Sequence, residues 1–169
     1  MISEKMVKAL NEQINAELYS AYLYCAMEAY FLSENLEGFA NWMRVQSQEE
    51  VVHARKFYDF IAERNGRIEF EAIQKPLSSW QSPLAVFEAS YKQEQIVTDR
   101  INKLVDIAQS EKDHATASFL KWFVDEQVEE ETNANRMVQK LKLVRDSASG
   151  LLMIDHELGK RVFNPPAKK

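Results

Sequence analysis

The sequence predicts an all-α chain: a four-helix bundle in which a long crossover joins the second and third helices and a short fifth helix follows. Three observations predict it. Apolar residues recur at steps of three and four along four long stretches, and Val, Ile and Thr nowhere alternate with polar residues for long. Gly and Pro number only four each, so helix breakers are few. Residues 67–81 carry no helical stripe, and extended at about 3.3 Å per residue they can run the length of a bundle. With 169 residues and 46% hydrophobic content, the chain is read as one domain, 1–169, with a sizeable core.

The first helix is expected from about Ser3, its N-cap, to about Leu32, with the inner stripe Val7, Leu10, Ile14, Glu17, Ala21, Tyr24, Met27 and Phe31. Ser33-Glu34-Asn35 turns the chain into a second helix, about Leu36 to Asn65, that Gly66 stops. A loop this short makes the two helices antiparallel neighbours. The second stripe reads Phe39, Met43, Gln46, Glu50, His53, Phe57 and Phe60. In the crossover, Leu77 and Trp80 are expected to pin the chain to the bundle. Ser82 and Pro83 open the third helix as N-cap and first-turn proline, with the stripe Leu84, Phe87, Tyr91, Glu94, Thr98, Ile101, Val105 and Ala108. Gln109 to His114 form a polar turn. The fourth helix, about Ala115 to Arg145, has the stripe Leu120, Phe123, Gln127, Glu130, Ala134, Met137, Leu141 and Val144. Ser147 to Gly150 break the chain before the fifth helix, about 151–160, and a Pro-containing tail. The bundle proper thus spans about 3–145.

Composition narrows the function classes. A net charge of −5 and a pI near 5.3 argue against nucleic acid as a partner. Lys168-Lys169, at the very end, is read as a solvated tail. No apolar run approaches the roughly 18 residues that span a membrane, and the first residues hold no signal-peptide core. The single cysteine, Cys25, excludes an internal disulfide and a thiolate metal site, and fits a reducing cytoplasm.

Each long helix places one glutamate near mid-length on its apolar stripe: Glu17, Glu50, Glu94 and Glu130. Converging at one level, four carboxylates repel and raise one another's pKa values, and no Lys or Arg on these stripes neutralises them. Two metal ions would. The alternative, four unrelated surface glutamates, requires four wrong helix phases. His53 follows Glu50 by three residues, and Gln127 precedes Glu130 by three, so each pair shares a helix face. Glu-x-x-His on an inward face ligates metal in helical bundles; by itself it also fits a surface glutamate beside a core histidine. Oxygen-rich ligation with one imidazole suits iron or manganese better than a closed zinc site. Tyr24, two turns from Glu17, is either a core tyrosine or a group that serves the metal-bound oxygen species.

Four segments carry a family resemblance: Asn11 to Ser20, Gln48-Glu49-Glu50-Val51-Val52-His53-Ala54, Tyr91-Lys92-Gln93-Glu94, and Glu126 to Glu131. With them the chain resembles the prokaryotic non-haem ferritins over nearly its whole length. The resemblance implies a hollow homo-oligomeric shell of 24 subunits that oxidises Fe(II) with O2 or H2O2 at a two-iron centre and stores ferric mineral. It implies that Glu17, Glu50 and His53 hold one iron, and that Glu94 and Glu130 hold the second, with Glu50 bridging and Gln127 beside it. It implies a third iron site at Glu49, Glu126 and Glu129, with Glu130 shared; the stripes alone make Glu49, Glu126 and Glu129 solvated charges. Bacterioferritins and rubrerythrins have a second Glu-x-x-His on the fourth helix, where this chain reads Gln127-Val128-Glu129-Glu130. Haem-binding bacterioferritins carry a methionine where Val51 stands, so no haem is expected. One cysteine leaves no four-cysteine iron site of the rubrerythrin kind, and mini-ferritins lack a fifth helix.

Glu111-Lys112-Asp113-His114 lies in the polar turn and is read as a solvated corner with Asp113 as N-cap; the resemblance would make it a channel lining. Asp155-His156 is read as surface or shell-contact chemistry, and Trp122 as packing. A di-iron or di-manganese oxidase or peroxidase without storage, and a metal-free structural bundle, are the competing function classes.

Overall fold

The computed structural model describes residues 2–165 and has five helices: α1, Glu4–Ser33; α2, Glu37–Glu63; α3, Pro83–Ser110; α4, His114–Val144; and α5, Ala148–Leu158. The Lys168-Lys169 tail lies outside the described residues. Four of the helices begin on a side-chain cap of their own. Ser3 accepts from Met6 N at 3.0 Å, Ser82 from Ala85 N at 3.1 Å, Asp113 from Thr116 N at 3.1 Å and Ser147 from Gly150 N at 3.1 Å. The exception is α2, whose N-cap position holds Leu36. Its cap comes from α5: Asp155 Oδ1 accepts from Phe39 N at 3.0 Å. Asp155 is therefore a half-buried cap within the subunit rather than surface chemistry, while its neighbour His156 is exposed.

Asn65, at φ 58°, takes the left-handed position that ends α2. Gly66 is needed next to it for space, because a Cβ there would meet Ile61 Cγ2 at 2.8 Å and Val7 Cγ2 at 3.0 Å. The crossover is anchored by α1. Asn11 donates to the Arg67 carbonyl at 2.9 Å and accepts from Glu69 N at 3.0 Å, and Asn15 donates to the Glu71 carbonyl at 3.1 Å. Trp80 packs edge-on against Tyr30 with centroids 5.7 Å apart, as expected of it. Leu77 does not pin the crossover: it is exposed, and the neighbouring Pro76 is buried instead.

Helices α1 and α2 pack along each other, as do α3 and α4, and α1 also approaches α3. Among the described residues no Cα of α2 lies within 8 Å of one of α4. That wide seam is spanned by side chains, among them Phe57 stacked on Phe123 at 4.1 Å. The core falls into two apolar halves, one around Phe31, Phe39, Trp42 and Phe87, the other around Leu10, Ile14, Phe57, Ile101 and Phe123. The mid-bundle glutamates lie between them. The stripe expected for α3 is shifted in part: Tyr91, Thr98 and Val105 are only half-buried, and Ser90, Val97 and Leu104 take the inner face. On α2, Phe60 is half-buried and stacks on Phe119 at 3.9 Å, and Ile61 fills the core.

Candidate metal centre

All four mid-helix glutamates point inward. Glu17 is 0% exposed, Glu50 1%, Glu94 1% and Glu130 6%. No Lys or Arg is buried among the described residues. One helical turn sets His53 beside Glu50, with Nδ1 3.4 Å from Oε2. Ligand atoms of Glu17, Glu50 and His53 come within 4.8 Å of one another, and so do those of His53, Glu126 and Glu130. Glu17 Oε2 and Glu50 Oε2 are buried with no hydrogen-bond partner. A buried carboxylate oxygen without a partner is costly in a metal-free protein, and a cation relieves that cost. Carboxylate oxygens with one imidazole suit iron. The residues present therefore fit a metal.

The remaining polar groups hold these carboxylates in place. Tyr24 donates its hydroxyl to Glu94 Oε1 and lies 3.0 Å from Ser90 Oγ. Gln127 donates to the Glu94 carbonyl at 3.2 Å and to Glu94 Oε2 at 3.3 Å. Its amide nitrogen is thus spent on Glu94, which leaves only its Oε1 for a metal. Gln13, one turn before Glu17, donates to Glu17 Oε1 at 2.7 Å and accepts from Arg100 Nε at 3.1 Å. Gln46 donates to Glu130 Oε2 at 3.0 Å. Trp122 meets the His53 ring edge-on at 5.4 Å, and Lys56 Nζ lies over the Trp122 ring, 4.3 Å from its centroid.

Burial, then the neighbouring carboxylates, sets the acidity. Burial first, and the charges of Glu94, Glu17 and Glu130 after it, push Glu50 well above the usual carboxylate range. Burial raises Glu94 to about 7 against the hydrogen bonds from Tyr24 and Gln127. Burial and the Glu94 charge raise Glu130 to about 8. The Tyr24 hydroxyl is pushed up by burial and by the charge of Glu94.

On the flank, a cavity of about 170 Å³ between α2 and α4 is lined by Glu49, Val52, His53, Trp122, Glu126 and Asn164. Glu126 Oε1 lies 3.9 Å from His53 Nε2. Glu49 is ion-paired with Arg161 at 2.7 Å, and Glu129 is exposed. Of the three flank glutamates, Glu126 is the one grouped with His53 and Glu130. The Glu111–His114 corner does act as a cap: Asp113 also accepts from Thr116 Oγ1 at 2.7 Å and pairs with Arg64 at 3.2 Å.

A family model described as the ferritin-like domain matches residues 7–144. The chain belongs to the ferritin-like family. It is 47% identical over 161 residues to a bacterial non-heme ferritin of Bacteroides fragilis, covering 95% of this chain and all of that one. It is 42% identical over 164 residues to the bacterial non-heme ferritin of Staphylococcus aureus, covering 97% of this chain and 99% of that one. Among solved structures, an engineered closed form of Archaeoglobus fulgidus ferritin superposes with a TM-score of 0.96 at 56% identity, over 97% of this chain and all of that one. A humanized archaeal ferritin superposes with a TM-score of 0.97 at 57% identity, over 98% of this chain.

Within this ferritin-like subunit, residues that sequence reading passed over complete the site. Gln13 stands four residues before Glu17 on one face, a spacing that could have marked it. Arg100 and Arg161 give no such signal, because they reach the buried Glu17 and Glu130 from other elements, through Gln13 and Gln46.

The raised pKa values of these carboxyls predict proton release on metal binding. Below about pH 4.5, the ordinary value, these carboxyls are protonated in folded and unfolded chains alike. As pH rises, the unfolded chain releases its protons first, so the metal-free fold loses stability through about pH 7 and about pH 8, where Glu94 and Glu130 ionise. Metal binding needs the ionised form. Zinc binding at pH 6.5 should therefore release protons from Glu50, Glu94 and Glu130, and at pH 8.5 fewer; calorimetry in buffers of different ionisation enthalpy measures this.

Proposed function

We propose that this chain is the subunit of an iron-storing ferritin that oxidises Fe(II) at its mid-bundle centre. The observation that carries the reading is four buried glutamates from four helices, with Glu17, Glu50 and Glu130 in ligand groups with His53 and Glu94 charging Glu50 and Glu130, and no fully buried Lys or Arg among the described residues. Family membership and the non-heme ferritin relatives support it. In this reading Fe(II) is the substrate. Glu17, Glu50 and His53 take one ion, Glu94 and Glu130 take the other, and Glu50 reaches both. Each Fe(II) gives up one electron, and the two together reduce O2, with two protons, to the level of hydrogen peroxide. Tyr24 and Gln127 keep Glu94 oriented while the charge on the irons rises. Glu49, Glu126 and Glu129, with Glu130 shared, form a third cation site on the flank, where a bound ion changes the charge that the oxidised pair must tolerate.

Storage requires a shell, proposed to hold 24 subunits, with no haem and a cytoplasmic location. No described helix is long and apolar enough to cross a membrane. Light scattering of the native protein at neutral pH is expected to give a closed assembly that retains iron mineral after aerobic Fe(II) addition. A stable monomer or dimer would remove the storage reading and favour a di-iron or di-manganese oxidase.

A further inference from the structure

Past α5 the chain returns along α2. Asn41 holds it there, donating to the Leu158 carbonyl at 3.1 Å and to the Arg161 carbonyl at 2.9 Å. The Arg161 guanidinium then lies over the Trp42 ring, 4.7 Å from its centroid. Its Nη2 donates to Glu49 Oε2 at 2.7 Å and to Gln46 Oε1 at 2.5 Å, and Nη1 to the Trp42 carbonyl at 3.4 Å. Gln46 passes the contact on, donating to Glu130 Oε2 at 3.0 Å. A guanidinium three-quarters buried, stacked and bonded to three acceptors is a fixed charge, unlike a solvated surface arginine.

We infer that Arg161 is a built-in occupant of the flank: it supplies the positive charge beside Glu49 while no metal ion is there, and a divalent cation must displace it to bind. The inference rests on the reading of Glu49, Glu126 and Glu129 as a cation site. Both charges cannot use Glu49 at once, because a cation on that carboxylate would face the guanidinium at contact distance. Arg161 is thus a selectivity residue. It weakens the flank for a third cation, so that the central pair fills first. The other arginine near the centre has no such competition. Arg100 bonds Gln13 and the Glu12 carbonyl at 2.9 Å, and neither is a carboxylate in the proposed metal sites.

The linkage is reciprocal. A cation on the flank releases residues 158–165 from α2, and loss of the Arg161 charge strengthens the flank.

The test titrates the assembled, iron-free protein with redox-inert Zn2+ and follows binding by calorimetry. R161Q is expected to tighten the third zinc by about tenfold or more and to leave the first two unchanged. R161K keeps the charge but loses the planar fork, and should bind the third zinc nearly as weakly as the parent. An effect of loosened packing alone would move both variants together, which would overturn the inference. A third zinc bound no tighter in R161Q would overturn it too, while leaving the flank site standing. If neither protein takes up a third zinc, the flank site itself fails, and the inference with it. In the unaltered protein, hydrogen exchange over residues 158–165 should speed up as the third zinc binds; unchanged exchange at saturation would contradict displacement without recourse to any variant.

Discussion

Replacing Glu50 with alanine is expected to abolish fast Fe(II) oxidation and to leave the metal-free subunit as stable as the parent or more so. Glu50 is the glutamate within ligand reach of Glu17 and His53, and the Glu94 and Glu130 carboxylates press on it from the other side. Its loss removes a ligand from both proposed iron positions. The rate should fall by more than the roughly hundredfold that loss of an outer partner brings at a metal site. Stability moves the other way because the parent holds Glu50 against burial and three like charges. The small cavity left by the side chain offsets part of that gain. The gain should grow as pH rises above the ordinary carboxylate range and shrink below it, where the carboxyls of the parent are protonated in both states. Stopped-flow oxidation and thermal melting across pH read the two effects, and oxidation at the parent rate would show that the centre is misassigned.

Gly38→Ala is expected to cost about 3 kcal/mol, far more than an exposed Gly→Ala change in a helix, which ordinarily stabilises. A Cβ at position 38 would run into the backbone carbonyl of Asp155, which a side-chain rotation cannot move aside. The whole of α5 must back away from α2. That uncovers Ile154 and Leu158, each 7% exposed in the docked helix, and withdraws the Asp155 carboxylate from the Phe39 N–H. Urea unfolding measures the loss, and faster hydrogen exchange over 148–158 identifies α5 as its origin. Unchanged exchange there would mean that α5 is held by something other than this contact.

The reach of the sequence followed the physics of each feature. Helical periodicity placed Glu17, Glu50, Glu94, Glu130, His53 and Gln127 on inner faces, because a buried carboxylate on an otherwise apolar stripe is visible without partners. Local caps such as Ser3, Ser82 and Asp113 were legible for the same reason: donor and acceptor lie three residues apart. What was not legible is contact between distant segments. Asp155 caps a helix 116 residues away, and Arg161 meets Glu49 from 112 residues away. The α3 phase is offset at Tyr91, Thr98 and Val105 because side chains with apolar atoms at half-buried positions imitate a core stripe, whereas the true inner positions include the small, polar Ser90, which meets the Tyr24 hydroxyl. Leu77 is expected to pin the crossover, yet it is exposed, and Asn11 and Asn15 hold the crossover by its backbone.

The central claim is that the mid-bundle carboxylates hold a pair of iron ions. Anomalous scattering at the iron edge, from crystals loaded with Fe(II) without oxygen, tests it most directly. The account predicts two peaks per subunit, about 3.5–4 Å apart, one among Glu17, Glu50 and His53 and one between Glu94 and Glu130, with Glu50 reaching both. Iron found only on the exposed surface or at the Glu111–His114 corner, with none between the helices, would contradict it.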